Sequence, residues 1–347
     1  MAPSRGSAPS AWRRFAVCFV VLVAVDQAVI PVLHVSEARR YESEAQVRFE
    51  NSDLFLVGPL TEYLQKRPIG QKRRVVFFGN SLVWGYLLDG QNAIPSVFQR
   101  LAPDVRVFNF AVNGFESGSA YLISKALIDS VDVYYLFHVG QRAHPLLAKL
   151  VPVSAEDAKR FRLETPSRFE QALDRLMGFW RLRRYAPRLQ GAWFGTSTRQ
   201  YLYLHKGEWV RRLLGRNQAA QAPTAQEMSP GLERAGWEAS VAPRAVSKED
   251  AARVAERYPL LWDYAQLLAS HRKYGAIIEY VRQTYPMNDE DRRVFNAYFQ
   301  PYVVVAKLTV PDTWFASDGR HFASAGTHAI AKMLYEHTAD HFGLRSP

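Results

Sequence analysis

Three residues have the types and spacing that serine-based ester chemistry needs: Ser81, Asp318 and His321. Ser81 follows Gly79 directly after an apolar run, where a sharp turn would lift its hydroxyl to the end of a strand. A serine hydroxyl is a weak nucleophile at neutral pH, so it needs a base and a group that orients the base. Asp318 stands three residues before His321, so its carboxylate can accept from Nδ1 while Nε2 faces Ser81. Together they predict acyl transfer through an acyl-serine.

The segments that must position these residues alternate between strands and helices. Apolar, β-branched runs predict strands at 74–79, 105–110, 131–139 and 302–306, and helical patterns occupy 91–101, 119–128 and 327–341. This alternation predicts an α/β fold of three layers, α/β/α, with a mainly parallel, flavodoxin-like sheet. Active sites of such sheets lie at the carboxyl ends of the strands. Ser81 follows the first predicted strand and His321 the last, so both are expected at this edge.

The motifs around these residues resemble those of the SGNH hydrolase superfamily, the GDSL-like esterases and acyltransferases. The Gly-Asp-Ser-Leu block of that family is similar to Gly79-Asn80-Ser81-Leu82, and its second block to Asn109-Phe-Ala-Val-Asn-Gly114. Its Asp-x-x-His block is similar to Asp318-Gly-Arg-His321. The resemblance implies Ser81 as nucleophile, His321 as base and Asp318 as its orienting partner. It also implies that the N–H groups of Ser81 and Gly114 stabilise the oxyanion.

The third block of the chain departs from the family pattern. Where the family has Gly-x-Asn-Asp, this chain has Gly140-Gln141-Arg142-Ala143, so the asparagine amide that donates to the oxyanion is replaced. Losing one such donor typically costs about 10²–10³ in rate. Gln141, Arg142 and the neighbouring Asn113 could each supply a substitute. We favour Arg142, because it occupies the equivalent position.

The fate of the acyl group leaves three functions open. If water accepts the acyl group, the protein is an extracytoplasmic serine esterase that acts on an acyl ester of an envelope glycan or lipid. If a sugar hydroxyl accepts the acyl group, the protein is an O-acyltransferase that modifies an exopolysaccharide or envelope polymer. This is the activity that a resemblance to envelope-anchored members of the SGNH superfamily implies. The altered third block would also fit a non-catalytic scaffold that keeps the SGNH fold.

The N-terminal region has the composition of an export signal. Arg13 and Arg14 precede a run at 15–35 that is apolar except for a few positions such as Asp26 and Pro31. We predict a signal anchor at 1–38, which leaves the catalytic domain outside the cytoplasm, in the periplasm, by the positive-inside rule. The alternative is a signal peptide that is cleaved near Ala38, which would secrete the domain.

The rest of the chain is predicted to be a connector at 39–72 and one catalytic domain at 73–347. Helical patterns such as 169–180 and 260–285 predict a large helical insertion at about 143–296 within that domain. Three polar residues flank the predicted edge outside the motifs. We interpret Glu116 as a solvated loop acid, and His138 and His144 as core or rim histidines with satisfied hydrogen bonds.

Charge and composition restrict the partners. With 44 Lys and Arg against 33 Asp and Glu, the formal net charge is +11, which favours anionic surfaces such as phospholipid or acidic polysaccharide. No nucleic-acid motif accompanies this charge, so nucleic acid is not expected as a partner. We expect an acyl-ester or glycan substrate and membrane contact through the N-terminal segment. The one cysteine, Cys18, excludes an internal disulfide, and no cofactor or metal is predicted.

Overall fold

A computed structural model of the chain describes residues 11–24, 57–58, 60–61, 64–65, 72–85, 88, 90–112, 114–165, 236–238, 246–280, 286–316 and 319–344. Within these ranges, six strands form one sheet in the order β2-β1-β3-β5-β6-β4. The strands are β1 Arg74–Phe78, β2 Arg106–Asn109, β3 Val133–Phe137, β4 Gly236–Glu238, β5 Tyr274–Tyr280 and β6 Val303–Thr309. Only β4 is antiparallel to its neighbour in this described sheet.

The five parallel strands have the order 2-1-3-4-5 when they are counted along the chain, which is the order of flavodoxin-like sheets. The predicted mixed α/β class with a mainly parallel sheet is therefore confirmed. Every residue of β1 and β3 is buried. This agrees with their continuous apolar sequences, because a parallel sheet that is covered on both faces needs apolar side chains at every position.

The α-helices whose bounds the structure gives are α1 Ala11–Ala24, α2 Ser81–Trp84, α3 Ile94–Leu101, α4 Ser117–Leu127, α5 Ala155–Arg160, α6 Lys248–Arg257, α7 Pro259–Ser270, α8 Asp289–Phe299 and α9 Ser324–Thr338. Helices α3 and α9 contribute to the apolar core on one face of the sheet, where Phe77 stacks on Tyr135 with ring centroids 4.6 Å apart. Helices α4, α7 and α8 contribute to the core on the opposite face. The described elements thus form three layers, with the parallel sheet in the middle.

The prediction of one helix over 260–285 is wrong for the second half of that range. Helix α7 ends at Ser270, and the next residues, Tyr274–Tyr280, form β5 between β3 and β6. Arg272 has a positive φ of 54° in the reversal between the two elements. Only four polar residues, at 270–273, separate the apolar residues of α7 from those of β5, and a short buried strand cannot be told from a buried helix by periodicity alone. A central strand therefore lies within the span predicted as the insertion, whose predicted helix at 169–180 lies outside the described residues.

The N-terminal helix α1 exposes a row of apolar side chains, including Phe15, Val17 and Val20. It has 14 residues, and none of the described helices combines the length and apolar composition that are needed to cross a membrane. Residues 25–38 of the predicted signal anchor lie outside the described residues. The signal anchor and the periplasmic location stay predictions.

Candidate functional site

Ser81 lies at the first turn after the central strand β1. Gly79 is needed there, because a Cβ atom at this position would lie 2.5 Å from Cγ2 of Val83 and 3.3 Å from Cβ of Phe137. The side chain of Asn80 caps helix α2, since its Oδ1 accepts from the N–H of Leu82 at 3.0 Å. The half-buried Ser81 hydroxyl is therefore carried by a closely packed, capped turn at the carboxyl edge of the sheet.

His321 lies near the C-terminal end of the chain, on the loop before α9, and contacts Ser81. Its Nε2 lies 3.0 Å from the Ser81 Oγ, although 240 residues separate the two. A β-bridge between Phe315 and Phe322 closes the loop that carries His321, and the N–H of Ala316 donates to the His321 carbonyl at 2.7 Å. The structure thus brings together the predicted nucleophile and the predicted base.

An aromatic residue that the sequence did not single out supports this loop. Tyr280 ends β5 and is buried, and its ring centroid lies 5.6 Å from that of Phe322 and 5.9 Å from that of Phe315. Its position at a strand end was hidden by the wrong helix prediction for 260–285. The loop of His321 is therefore held against the same sheet edge as Ser81.

The hydrogen bond between His321 and Ser81 depends on the imidazole tautomer. With the proton on Nδ1, Nε2 accepts from the serine O–H and can act as a base. Asp318, the predicted acceptor for Nδ1, lies outside the described residues, and so does Asn113. The orienting role of Asp318 and the oxyanion role of Asn113 stay predictions.

The two backbone donors expected for the oxyanion lie on neighbouring loops. Within the part of the chain that the structure describes, neither Ser81 N–H nor Gly114 N–H donates to another residue. For Ser81 this follows from its place in the first turn of α2, where N–H groups have no intrahelical acceptor. Gly114 has a positive φ of 80°. Its loop is tied to the Ser81 turn, because Val112 N–H donates to the Gly79 carbonyl at 3.1 Å.

Gln141 and Arg142 lie in the loop after β3, and both side chains are exposed. The Arg142 N–H donates to Oε2 of Glu116 at 2.8 Å, so any oxyanion contact from Arg142 would have to come from its guanidinium. Glu116 lies directly before α4 and is half-buried, and its carboxylate has a partner in this loop that the interpretation as a solvated loop acid did not include. Nothing in the sequence pairs Glu116 with this loop; their close approach is seen in the structure at Gly140, where a Cβ would overlap the Glu116 carboxylate.

The interpretation of His138 and His144 as satisfied rim or core residues is confirmed. His138 is buried, and its Nδ1 lies 2.7 Å from the Ser117 Oγ. His144 caps the short helix Pro145–Lys149, accepting from Leu146 N–H at 3.3 Å. Burial lowers the pKa of His138 to about 4, because an imidazolium is poorly solvated in the protein interior.

The buried His138 predicts a loss of stability in acid. Between its folded pKa of about 4 and the usual 6.5, the unfolded chain binds more protons than the folded protein, so the free energy of unfolding falls as pH falls. The contribution of His138 is expected to fall by about 2 kcal/mol from pH 8 to pH 5. Urea unfolding at both pH values would measure it. His138→Gln should remove this part of the pH dependence, and the exposed His271→Gln should keep it; equal pH dependence in all three proteins would contradict the prediction.

No protein-family model matches the chain, and no curated protein matches it at a significant level. Among the described residues, no group of three or more His, Cys, Asp or Glu side chains could hold a metal ion. Function is therefore inferred from Ser81, His321 and the loops beside them.

Proposed function

We propose that this protein is a serine esterase that acts on acyl esters through an acyl-serine intermediate, in the manner of SGNH hydrolases. The observation that carries the proposal is the distance of 3.0 Å between His321 Nε2 and Ser81 Oγ. This distance is within the reach that a nucleophile and its general base require. Ser81 stands in the capped first turn of α2 directly after β1, and His321 stands on a loop closed by the Phe315–Phe322 bridge after β6, so the pair needs little rearrangement to react.

Acylation proceeds by attack of the Ser81 Oγ on the ester carbonyl carbon, while His321 Nε2 takes the hydroxyl proton. The electron pair of the carbonyl bond moves to its oxygen and forms an oxyanion, which accepts from the N–H groups of Ser81 and Gly114. When the oxyanion collapses, the bond to the leaving alkoxide breaks and His321 returns the proton to that oxygen. The products are a free alcohol and an acyl-Ser81.

Deacylation repeats these steps with water as the nucleophile. His321 takes a proton from water, the hydroxide attacks the acyl carbonyl, and the proton passes to the Ser81 Oγ as the carboxylic acid leaves. Arg142 is the proposed third oxyanion donor, in place of the family's asparagine. The net charge of +11 supports an acyl ester carried on an anionic glycan or lipid surface.

A fluorophosphonate probe tests the proposed nucleophile directly. The activated Ser81 oxygen is expected to attack phosphorus and expel fluoride, which leaves a stable adduct on the Ser81 peptide that mass spectrometry can locate. Ser81→Ala should abolish labelling, and Ser324→Ala, which changes another half-buried serine, should retain it. A folded wild-type protein that stays unlabelled at Ser81 would instead favour the non-catalytic scaffold.

A further inference from the structure

The loop after β3 is fixed on the first turn of α4. We call residues 138–144 the β3 loop. Ser117 N–H donates to the Val139 carbonyl at 3.2 Å, and the Val139 N–H donates back to the Ser117 Oγ at 3.2 Å. Further along, His144 N–H donates to the Ser119 Oγ at 2.8 Å. Both ends of the β3 loop are thereby held by serines of one helix.

Glu116 holds the middle of the same loop. Its Oε2 accepts from the Arg142 N–H at 2.8 Å, and the carboxylate lies directly against Gly140, which has a positive φ of 60°. Gly118, in the first turn of α4, faces the same loop, because a Cβ at Gly118 would lie 2.6 Å from the Arg142 carbonyl oxygen. Two glycines are thus required for the close approach of Glu116 and α4 to the β3 loop.

The β3 loop lies beside the nucleophile. Strand β3 pairs in parallel with β1, with Leu136 opposite Phe78, and a Cβ at Gly79 would lie 3.3 Å from the Phe137 Cβ. The β3 loop and the turn of Ser81 therefore leave adjacent strands at the same edge. A change in the backbone of this loop would move the exposed Arg142 relative to Ser81.

We propose that Glu116 is a positioning residue that acts through Arg142. Its carboxylate fixes the backbone of 140–142, so that the Arg142 guanidinium is presented to the ester that Ser81 attacks. This inference rests on the proposed esterase function. Oxyanion donors stabilise the transition state only when they are held in place beforehand, and a misplacement of about 1 Å can cost about 10²-fold in rate. The role needs an acceptor oxygen at Glu116, and it does not need the negative charge.

The experiment compares kcat and KM for p-nitrophenyl acetate in Glu116→Ala and Glu116→Gln. Glu116→Ala is expected to lower kcat by about 10-fold or more with KM changed by less than about 2-fold, because the loop loses its acceptor. Glu116→Gln keeps an acceptor oxygen and should stay within about 3-fold of the wild type. Glu156→Ala, at an exposed glutamate of α5, should leave both constants unchanged.

A double-mutant cycle tests the connection to Arg142. If Glu116 acts by placing that side chain, Glu116→Ala should cost less than about 2-fold once Arg142→Ala is present, because coupled residues are not additive. Additive losses would overturn the link to Arg142. A Glu116→Gln variant as slow as Glu116→Ala would also overturn the proposal, since the charge itself would then matter.

Hydrogen exchange supplies a readout that does not depend on turnover. In Glu116→Ala, the Arg142 amide should exchange at least about 10-fold faster than in the wild type, and in Glu116→Gln at nearly the wild-type rate. Unchanged exchange in Glu116→Ala would overturn the positioning role even if Ser81 is active. Absence of Ser81-dependent turnover in the wild type would overturn the proposed function and, with it, this inference, so the two failures can be told apart.

Discussion

Replacing Ser81 with alanine is expected to lower kcat for p-nitrophenyl acetate hydrolysis by about 10⁴- to 10⁶-fold, with little change in KM. The alanine cannot form the acyl-enzyme, so only the weak catalysis of the oxyanion donors and substrate binding remains. Because Ser81 is half-buried at the first turn of α2, loss of its hydroxyl should leave the fold intact. Circular dichroism would check the fold beside steady-state kinetics.

His321→Ala is expected to cause a loss of the same order, and the Ser81→Ala/His321→Ala double variant should be no slower than either single variant. The reason is that nucleophile and base act as one unit, so removing either stops the same step. His328→Ala, at a half-buried histidine on α9, is the matched control and should keep wild-type kcat. Losses that multiply in the double variant would argue against a shared step, and equal turnover by wild type and Ser81→Ala would rule out the nucleophile.

Asn296→Leu is expected to lower the free energy of unfolding by about 3–5 kcal/mol, because two buried backbone groups lose their partners. The Asn296 Oδ1 accepts from the Val305 N–H at 2.6 Å, and its Nδ2 donates to the Val305 carbonyl at 2.9 Å. Among the described residues, β4 pairs with β6 at 307–309, and the Asn296 side chain satisfies the β6 backbone at Val305, outside that stretch.

Chemical denaturation would measure this loss from the shift in the midpoint at constant m-value. Arg293→Ala is the control on the same helix, since Arg293 is exposed, and its effect should stay within about 0.5 kcal/mol. A change below about 1 kcal/mol in Asn296→Leu would mean that water or a backbone shift replaces both hydrogen bonds.

The strands that position Ser81 could be predicted because their side chains are apolar at every position. The run 74–79 predicted a buried strand, and β1 is buried throughout. Parallel strands present their carboxyl ends at one edge, so the approach of His321 to Ser81 followed from their order along the chain. The same reasoning failed for β5, since an apolar run has the same pattern in a buried strand and in a buried helix.

The roles of Glu116 and Asn296 could not be predicted, because a polar side chain gives no sign of its partner. Glu116 binds the Arg142 N–H across 26 residues, and Asn296 binds Val305 across 9. Both contacts depend on how a helix end or helix face lies against a neighbouring loop or strand. Such placement follows from the packing of the whole sheet, and local periodicity does not contain it.

By itself, the sequence determined the α/β class and the edge at which Ser81 and His321 meet. Runs of apolar residues indicate buried strands, and the alternation of strands with helices indicates that these strands are parallel. Only the tertiary structure decided the distance of 3.0 Å between Nε2 and Oγ, the place of β5 between β3 and β6, and the contact of Glu116 with the β3 loop. The physical reason is that these features depend on contacts between segments far apart in the chain, which form only when the sheet and its covering helices pack together.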